Sequence, residues 1–159
     1  MRPPGSARGP RPTSVARVPG IDYDVLDTLL GYALRRAQIA AFDAFYRATA
    51  GHGITPPRFT ALVIVGANPG LSQTVLGRVL GIARSGAMLL TDWLVRRKLA
   101  ERRPHPEDRR SWGLFLTLRG ESLLADLKRT VRAHDGQLGG TLTETQRRTL
   151  LRLLRQLAE

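Results

Sequence analysis

The run Ser72–Leu116, SQTVLGRVLGIARSGAMLLTDWLVRRKLAERRPHPEDRRSWGLFL, decides the fold. Ser72 is a good helix N-cap, and it stands ahead of a short periodic stretch carrying Val75, Leu76, Val79 and Leu80. Gly81 stops that helix. After the tight turn Gly81-Ile82-Ala83 a second helix is expected from about Arg84 to Lys98, with Ala87, Leu90 and Leu94 facing inward. Two short helices joined by a glycine-containing turn form the helix-turn-helix pattern. Leu99–Arg103 and Ser111–Leu116 then read as strands, the second with Trp112, Leu114 and Leu116 on one face. Between them lies a charged, proline-containing tip, Pro104–Arg110. A β-hairpin directly after the second helix is a wing, so the expected class is mainly α with a small β-hairpin wing, a winged helix-turn-helix.

Helical patterns flank this core on both sides. From Asp22 to about Ala50, Leu26, Leu29, Leu30, Ala33, Leu34, Ala37, Ala41 and Phe45 recur at three- and four-residue spacing, ended by Gly51 and Gly53. Thr55-Pro56-Pro57 begins another helix, with Thr55 as cap and proline at its first position, and Asn68-Pro69-Gly70 turns the chain. Thr117 caps a long helix to about Leu138, and Thr143-Glu144-Thr145-Gln146 is a capping box that opens a last one. That last helix carries Leu150, Leu151, Leu153, Leu154 and Leu157, an apolar arc wide enough to demand burial on several sides. The expected organisation is a basic, disordered Pro/Arg-rich tail (1–20), a DNA-binding lobe (55–117), and N- and C-terminal dimerisation helices (21–50 and 118–159). A two-fold homodimer with interleaved terminal helices supplies the missing burial.

The charge balance names a partner class. The 159 residues carry 25 Lys and Arg against 13 Asp and Glu, a formal net charge of +12. Such a balance favours a polyanion, nucleic acid ahead of an anionic membrane surface. Within the folded part the densest basic stretch is 84–110, with Arg84, Arg96, Arg97, Lys98, Arg102, Arg103, Arg109 and Arg110. The absence of cysteine excludes disulfides, thiol-based sensing and thiolate metal sites. No apolar run follows the basic residues of the first twenty, so they do not read as a secretory signal. The longest apolar stretch, Ala61–Val65, is too short to span a bilayer, and a cytoplasmic protein is expected.

A reading helix meets bases with its N-terminal, outward residues, here Arg84, Ser85, Gly86 and Met88. Arginine forms paired hydrogen bonds to guanine in the major groove. Ser72, Gln73 and Thr74 are short polar groups suited to phosphate, together with the free backbone N–H groups of a helix start. At the wing tip, Arg109 and Arg110 suit the negative potential of the minor groove, and Asp108 would hold Arg110 or a neighbouring backbone in place. An enzyme is disfavoured, because His52, His105 and His134 are scattered and no nucleophile elbow, phosphate loop or metal-spaced cluster is present. No cofactor is expected. The competing reading is a non-specific or architectural DNA-binding protein, which the wing and basic tail would serve equally.

The run Leu94–Ser111, with Asp108-Arg109-Arg110 as its D-x-R wing motif, and the entry Leu116-Thr117-Leu118-Arg119-Gly120 into the following helix, together resemble the MarR family. The resemblance spans about Asp22 to Glu159. It implies a homodimer on a palindromic double-stranded DNA operator, usually repressing, and release by a small aromatic or amphipathic ligand. It also implies that Arg110 enters the minor groove with Asp108 orienting it, and that Arg84 and Ser85 stand at the reading end of the recognition helix. Three positions depart from the family pattern: Lys98 where a glycine usually ends the helix, Leu89 where a basic residue is common, and Met88 where a small polar one is common. For a ligand, Tyr32, Arg35, Arg36, Phe42, Tyr46 and His52 offer aromatic surface and cationic handles, suited to an aromatic acid or its larger activated thioester.

Overall fold

Leu62, Leu76, Leu94, Leu114 and Leu127 come from five separate stretches of the chain, and all are fully buried. The computed structural model, which describes residues 17–104, 112–136 and 138–158, gathers them in a unit made of residues 49–132. The chain runs α1 (Leu30–Ala48), α2 (Pro56–Ala67), β1 (Leu71–Ser72), α3 (Gln73–Val79), α4 (Arg84–Arg96), β2 (Ala100–Pro104), β3 (Trp112–Leu116), α5 (Leu118–Asp135) and α6 (Glu144–Ala158). The described residues of 17–48 and 133–158 form a second unit.

Local chemistry accounts for the boundaries in the first unit. The Ser72 hydroxyl accepts from the Val75 N–H at 3.3 Å and caps α3, as expected. Gly81 sits at φ +63, where its missing side chain removes the steric penalty, and Ile82 N–H returns to the Gly77 carbonyl at 3.0 Å to close the turn into α4. Proline does occupy the first turn of α2, but the Thr55 side chain makes no cap hydrogen bond, contrary to expectation. The fixed φ of Pro56 and its missing donor already start that helix, so no hydroxyl is needed there.

The end of α4 is a Schellman motif. Leu99 N–H reaches the Leu94 carbonyl at 2.9 Å and Lys98 N–H the Val95 carbonyl at 2.9 Å. The residue between helix and strand, Lys98, therefore takes φ +56, a left-handed conformation that glycine usually fills. Thr117 latches this corner to α5. Its hydroxyl donates to the Lys98 carbonyl at 2.6 Å and accepts from Gly120 N–H at 3.1 Å, while its own N–H donates to the Leu99 carbonyl at 3.1 Å. Gly120 permits the approach, since a Cβ there would lie 1.9 Å from the Leu99 carbonyl oxygen. The Leu-Thr-Leu-Arg-Gly sequence is thus a mechanical joint between the end of α4 and α5.

The sheet has three antiparallel strands in the order β1-β3-β2, with Leu71 opposite Leu114 and Arg102 opposite Leu114 from the other side. The hairpin was expected and β1 was not, because two residues carry no readable periodicity. Thr91 is the other surprise: it is fully buried in α4, where only apolar residues were expected to face inward.

In the second unit the expected helix from Asp22 is interrupted. Asp24–Thr28 forms a 3-10 turn, Leu29 is extended, and α1 begins at Leu30. The Asp22 carboxylate accepts from Asp24 N–H at 2.9 Å and the Thr28 hydroxyl donates to the Val25 carbonyl at 2.8 Å. Such short-range side-chain bonds compete with the helical ladder. The capping box forms as read: Gln146 N–H donates to the Thr143 hydroxyl at 3.2 Å and Thr143 N–H to the Gln146 side chain at 2.8 Å. No residue of α6 is buried within the single chain.

Candidate nucleic-acid interface

α4 packs Ala87, Thr91 and Leu94 inward, so its opposite face is free. Arg84 and Ser85 are exposed at its first turn, Gly86 is half-buried, and Met88 and Leu89 are 48% and 63% exposed. The helix therefore offers one arginine, one hydroxyl and two apolar side chains outward. This face can donate hydrogen bonds to base edges and lay apolar surface against a thymine methyl group.

α3 presents Thr74 to solvent, with Ser72 and Gln73 half-buried. The Ser72 hydroxyl accepts from the Val75 N–H, and no described acceptor takes its proton. Gln73 is tied sideways, its carbonyl oxygen accepting from Arg102 at 3.3 Å. The same Arg102 nitrogen donates to Asp92 at 2.5 Å. One guanidinium thus joins the start of α3, the outer face of α4 and strand β2. Sequence reading missed this link, because its members are up to 29 residues apart. Farther along α4, the Arg58 guanidinium lies 3.8 Å from the Trp93 ring centroid and that of Arg97 lies 5.1 Å away, tying α2 to α4. Asp108, Arg109 and Arg110 lie outside the described residues.

The six residues expected to meet a ligand divide between the two units. Tyr32, Arg35, Arg36, Phe42 and Tyr46 all lie on α1, and their spacing places them within an arc of about 120°. Arg35 and Phe42 are exposed, whereas Tyr32, Arg36 and Tyr46 are half-buried. His52 is exposed in a 3-10 turn of the other unit.

The start of this α1 face is covered by the segment before the helix. Tyr23 stands 6.3 Å from Tyr32, centroid to centroid, and Arg36 is 5.9 Å and 5.7 Å from the two rings. Arg17 lies 4.4 Å from the Tyr23 ring and pairs with Asp27 at 2.6 Å. The Asp27 hydrogen bond raises the Arg17 pKa further above its already basic value. A recess of about 330 Å³ opens between Arg17, Leu26, Asp27, Tyr32 and Arg36. Composition alone groups Arg17 with a basic, disordered tail and offers no reason to single out Tyr23 or Asp27.

The other face of α1 is apolar. Leu30, Ala33, Leu34 and Ala37 line a groove of about 600 Å³ with Leu150, Leu153, Leu154 and Leu157 of α6. Leu30, Leu153 and Leu157 remain half or more exposed in the single chain. A continuous apolar surface of this kind marks an association site.

Among the described residues no helix is long and apolar enough to cross a membrane, and no group of three or more His, Asp or Glu could hold a metal ion.

Comparison with known proteins gives this geometry a context. The MarR family model matches residues 52–111. The chain is 36% identical, over 129 residues, to the protein assigned as the transcriptional regulatory protein for the hcr operon of Thauera aromatica, spanning 80% of this chain and 78% of that one. The transcriptional repressor CouR bound to a 23-mer DNA duplex has a similar structure, with TM-score 0.82 and 38% identity over 87% of this chain and 99% of that chain. CouR bound to p-coumaroyl-CoA gives TM-score 0.79 and 35% identity over 87% and 98%.

Proposed function

The chain belongs to the MarR family, and we propose that it works as a ligand-responsive repressor that grips a palindromic operator as a homodimer. The observation that carries this reading is the free outer face of α4, with Arg84 and Ser85 at its leading end and Arg102 bracing its flank. In a dimer closed through the apolar surface of α1 and α6, two such helices would meet successive major grooves about 34 Å apart. Arg84, Ser85, Gly86 and Met88 read bases, while Ser72, Gln73 and Thr74 hold phosphates. The wing arginines Arg109 and Arg110, with Asp108 beside them, enter the minor groove. A chromosomal operator places the protein in the cytoplasm, and no catalytic step is assigned to it.

The ligand is an aromatic acid or its coenzyme A thioester, taken up on the aromatic and cationic face of α1. Tyr23 and Tyr32 supply ring surface there, and Arg35 and Arg36 supply charge. The binding of p-coumaroyl-CoA by CouR supports this class.

A titration tests the proposal. The protein is bound to duplex DNA from upstream of its own coding region and to a scrambled duplex of equal length, at about physiological salt. A preference of roughly a thousandfold is expected, and Arg84→Ala should cost about 1–3 kcal/mol on the operator alone. Equal affinity for the two duplexes, unaffected by Arg84→Ala, would leave a phosphate-driven, non-specific binder instead. An aromatic acid and its thioester, added in turn, should lower operator affinity; if neither does so at saturation, the ligand assignment fails.

A further inference from the structure

Strand β2 has two faces. Arg102 points to the reading helix, whereas its neighbours Glu101 and Arg103 alternate to the other side of the hairpin. On that other side a groove of about 850 Å³ runs between the end of α2, the base of the hairpin and the first turns of α5. Its floor is apolar. Leu116 and Leu124 pack against the bare backbone of Gly66, where an added Cβ would lie 2.9 Å and 2.8 Å from their methyl groups. Leu118 stands at its edge, 85% exposed.

Its rim is cationic. Arg103 is already engaged, paired with Glu101 and lying 5.1 Å from the Phe115 ring centroid. Lys98, Arg119 and Lys128 also line the groove, and no described carboxylate pairs with any of them. Lys128 is half-buried in this state. The one further acid among the described lining residues is Glu121. An apolar floor under an excess of cations that no described acid pairs complements one kind of molecule, an anionic head on an apolar body.

Lys98 adds a second observation. It occupies the left-handed position that closes the α4 Schellman motif, a place where glycine is free of strain and lysine is not. The residue in this left-handed position is also one of those that line the groove.

We infer that this groove binds an amphipathic carboxylate, its head held by Lys98, Arg119 and Lys128 and its body laid over Leu116, Leu118 and Leu124. The site is distinct from the aromatic face of α1, and it stands whether or not that face takes a ligand. It lies on the side of the hairpin opposite Arg102, and no residue of α4 itself (Arg84–Arg96) is among its described lining residues.

Octanoate is the probe, titrated into the full-length, isotope-labelled protein while the amide resonances of Gly66, Leu116 and Ala125 are followed. Saturable shifts at these residues are expected. Lys98→Gly, which suits the left-handed backbone and so keeps the fold, should weaken binding about threefold to fivefold, and Lys128→Gln should do the same. Octanol, which has the body without the charge, and acetate, which has the charge without the body, should both fail to saturate. The inference is overturned if octanoate shifts only residues elsewhere or none at all. Equal affinity in wild type and both variants, or octanol binding as tightly as octanoate, would overturn it too, since the cations would then play no part.

Discussion

Replacing Lys98 by glycine should make the protein more stable while removing a charge and a side chain. The lysine holds φ +56 because both Schellman hydrogen bonds, from Lys98 N–H to Val95 and from Leu99 N–H to Leu94, require a left-handed residue at that point. An L-residue with a Cβ incurs about 1–2 kcal/mol there. Glycine avoids that cost, but its more flexible unfolded chain returns about 0.5–1 kcal/mol. The lysine side chain is exposed and unpaired among the described residues, so little packing is lost. The net gain should be about 0.5–1 kcal/mol, or roughly 2–4 °C in thermal midpoint at most for a chain of this length. The assay is thermal and urea unfolding of wild type, Lys98→Gly and Lys98→Ala at one fixed protein concentration, since dimer formation makes midpoints concentration-dependent. Alanine keeps the strain and deletes the charge, so it should stay near wild type. If alanine stabilises as much as glycine, charge repulsion and not backbone strain was the cost. If glycine destabilises the protein, the reasoning is refuted outright.

Other substitutions probe the remaining joints. Gly120→Ala drives a methyl group to within 1.9 Å of the Leu99 carbonyl oxygen, and denaturant unfolding should show a loss of about 3 kcal/mol or more, with the α4–α5 latch at Thr117 broken. Leu154→Glu places a carboxylate in the α1–α6 apolar surface of both copies, so light scattering should show the dimer giving way to monomer, with the dimer dissociation constant raised about a hundredfold or more. Arg102→Ala releases Gln73 and Asp92 together. Operator affinity should fall about fivefold to tenfold while the thermal midpoint moves by no more than about 2 °C, because the pair is partly exposed and contributes little to folding.

The parts of this fold that were legible in the sequence are those encoded within a few residues. Ser72, Thr117 and the Thr143–Gln146 box each cap a helix through a partner three residues away, and all three were readable from spacing. The hairpin was readable within a short span too, as two strand-like stretches on either side of a charged, proline-containing tip. What escaped was encoded by distance in space. Strand β1 is two residues long and exists because β3 offers an open edge to it. The Arg102 link depends on a strand, a helix face and a helix start converging. Tyr23, Arg17 and Asp27 matter only because the chain breaks at Leu29 and folds back along α1, and that break follows from two side-chain hydrogen bonds which periodicity cannot register.

Lys98 belongs to neither group, and it is the more instructive residue for that reason. Its position was legible as a departure, a lysine where the family resemblance implies that a glycine usually ends the helix, but sequence alone offers no ground for deciding whether the change is neutral. The structure supplies the two missing terms. The backbone angle shows that the lysine carries a cost, and the groove lining includes it with two other cations that no described acid pairs. A residue that breaks a local rule without compensation would be expected to drift back to glycine, which is both more stable and one of the commonest residues at such a site. A local rule broken beside a charged groove is instead where function is to be sought, because strain of this kind persists when the side chain serves something outside the fold.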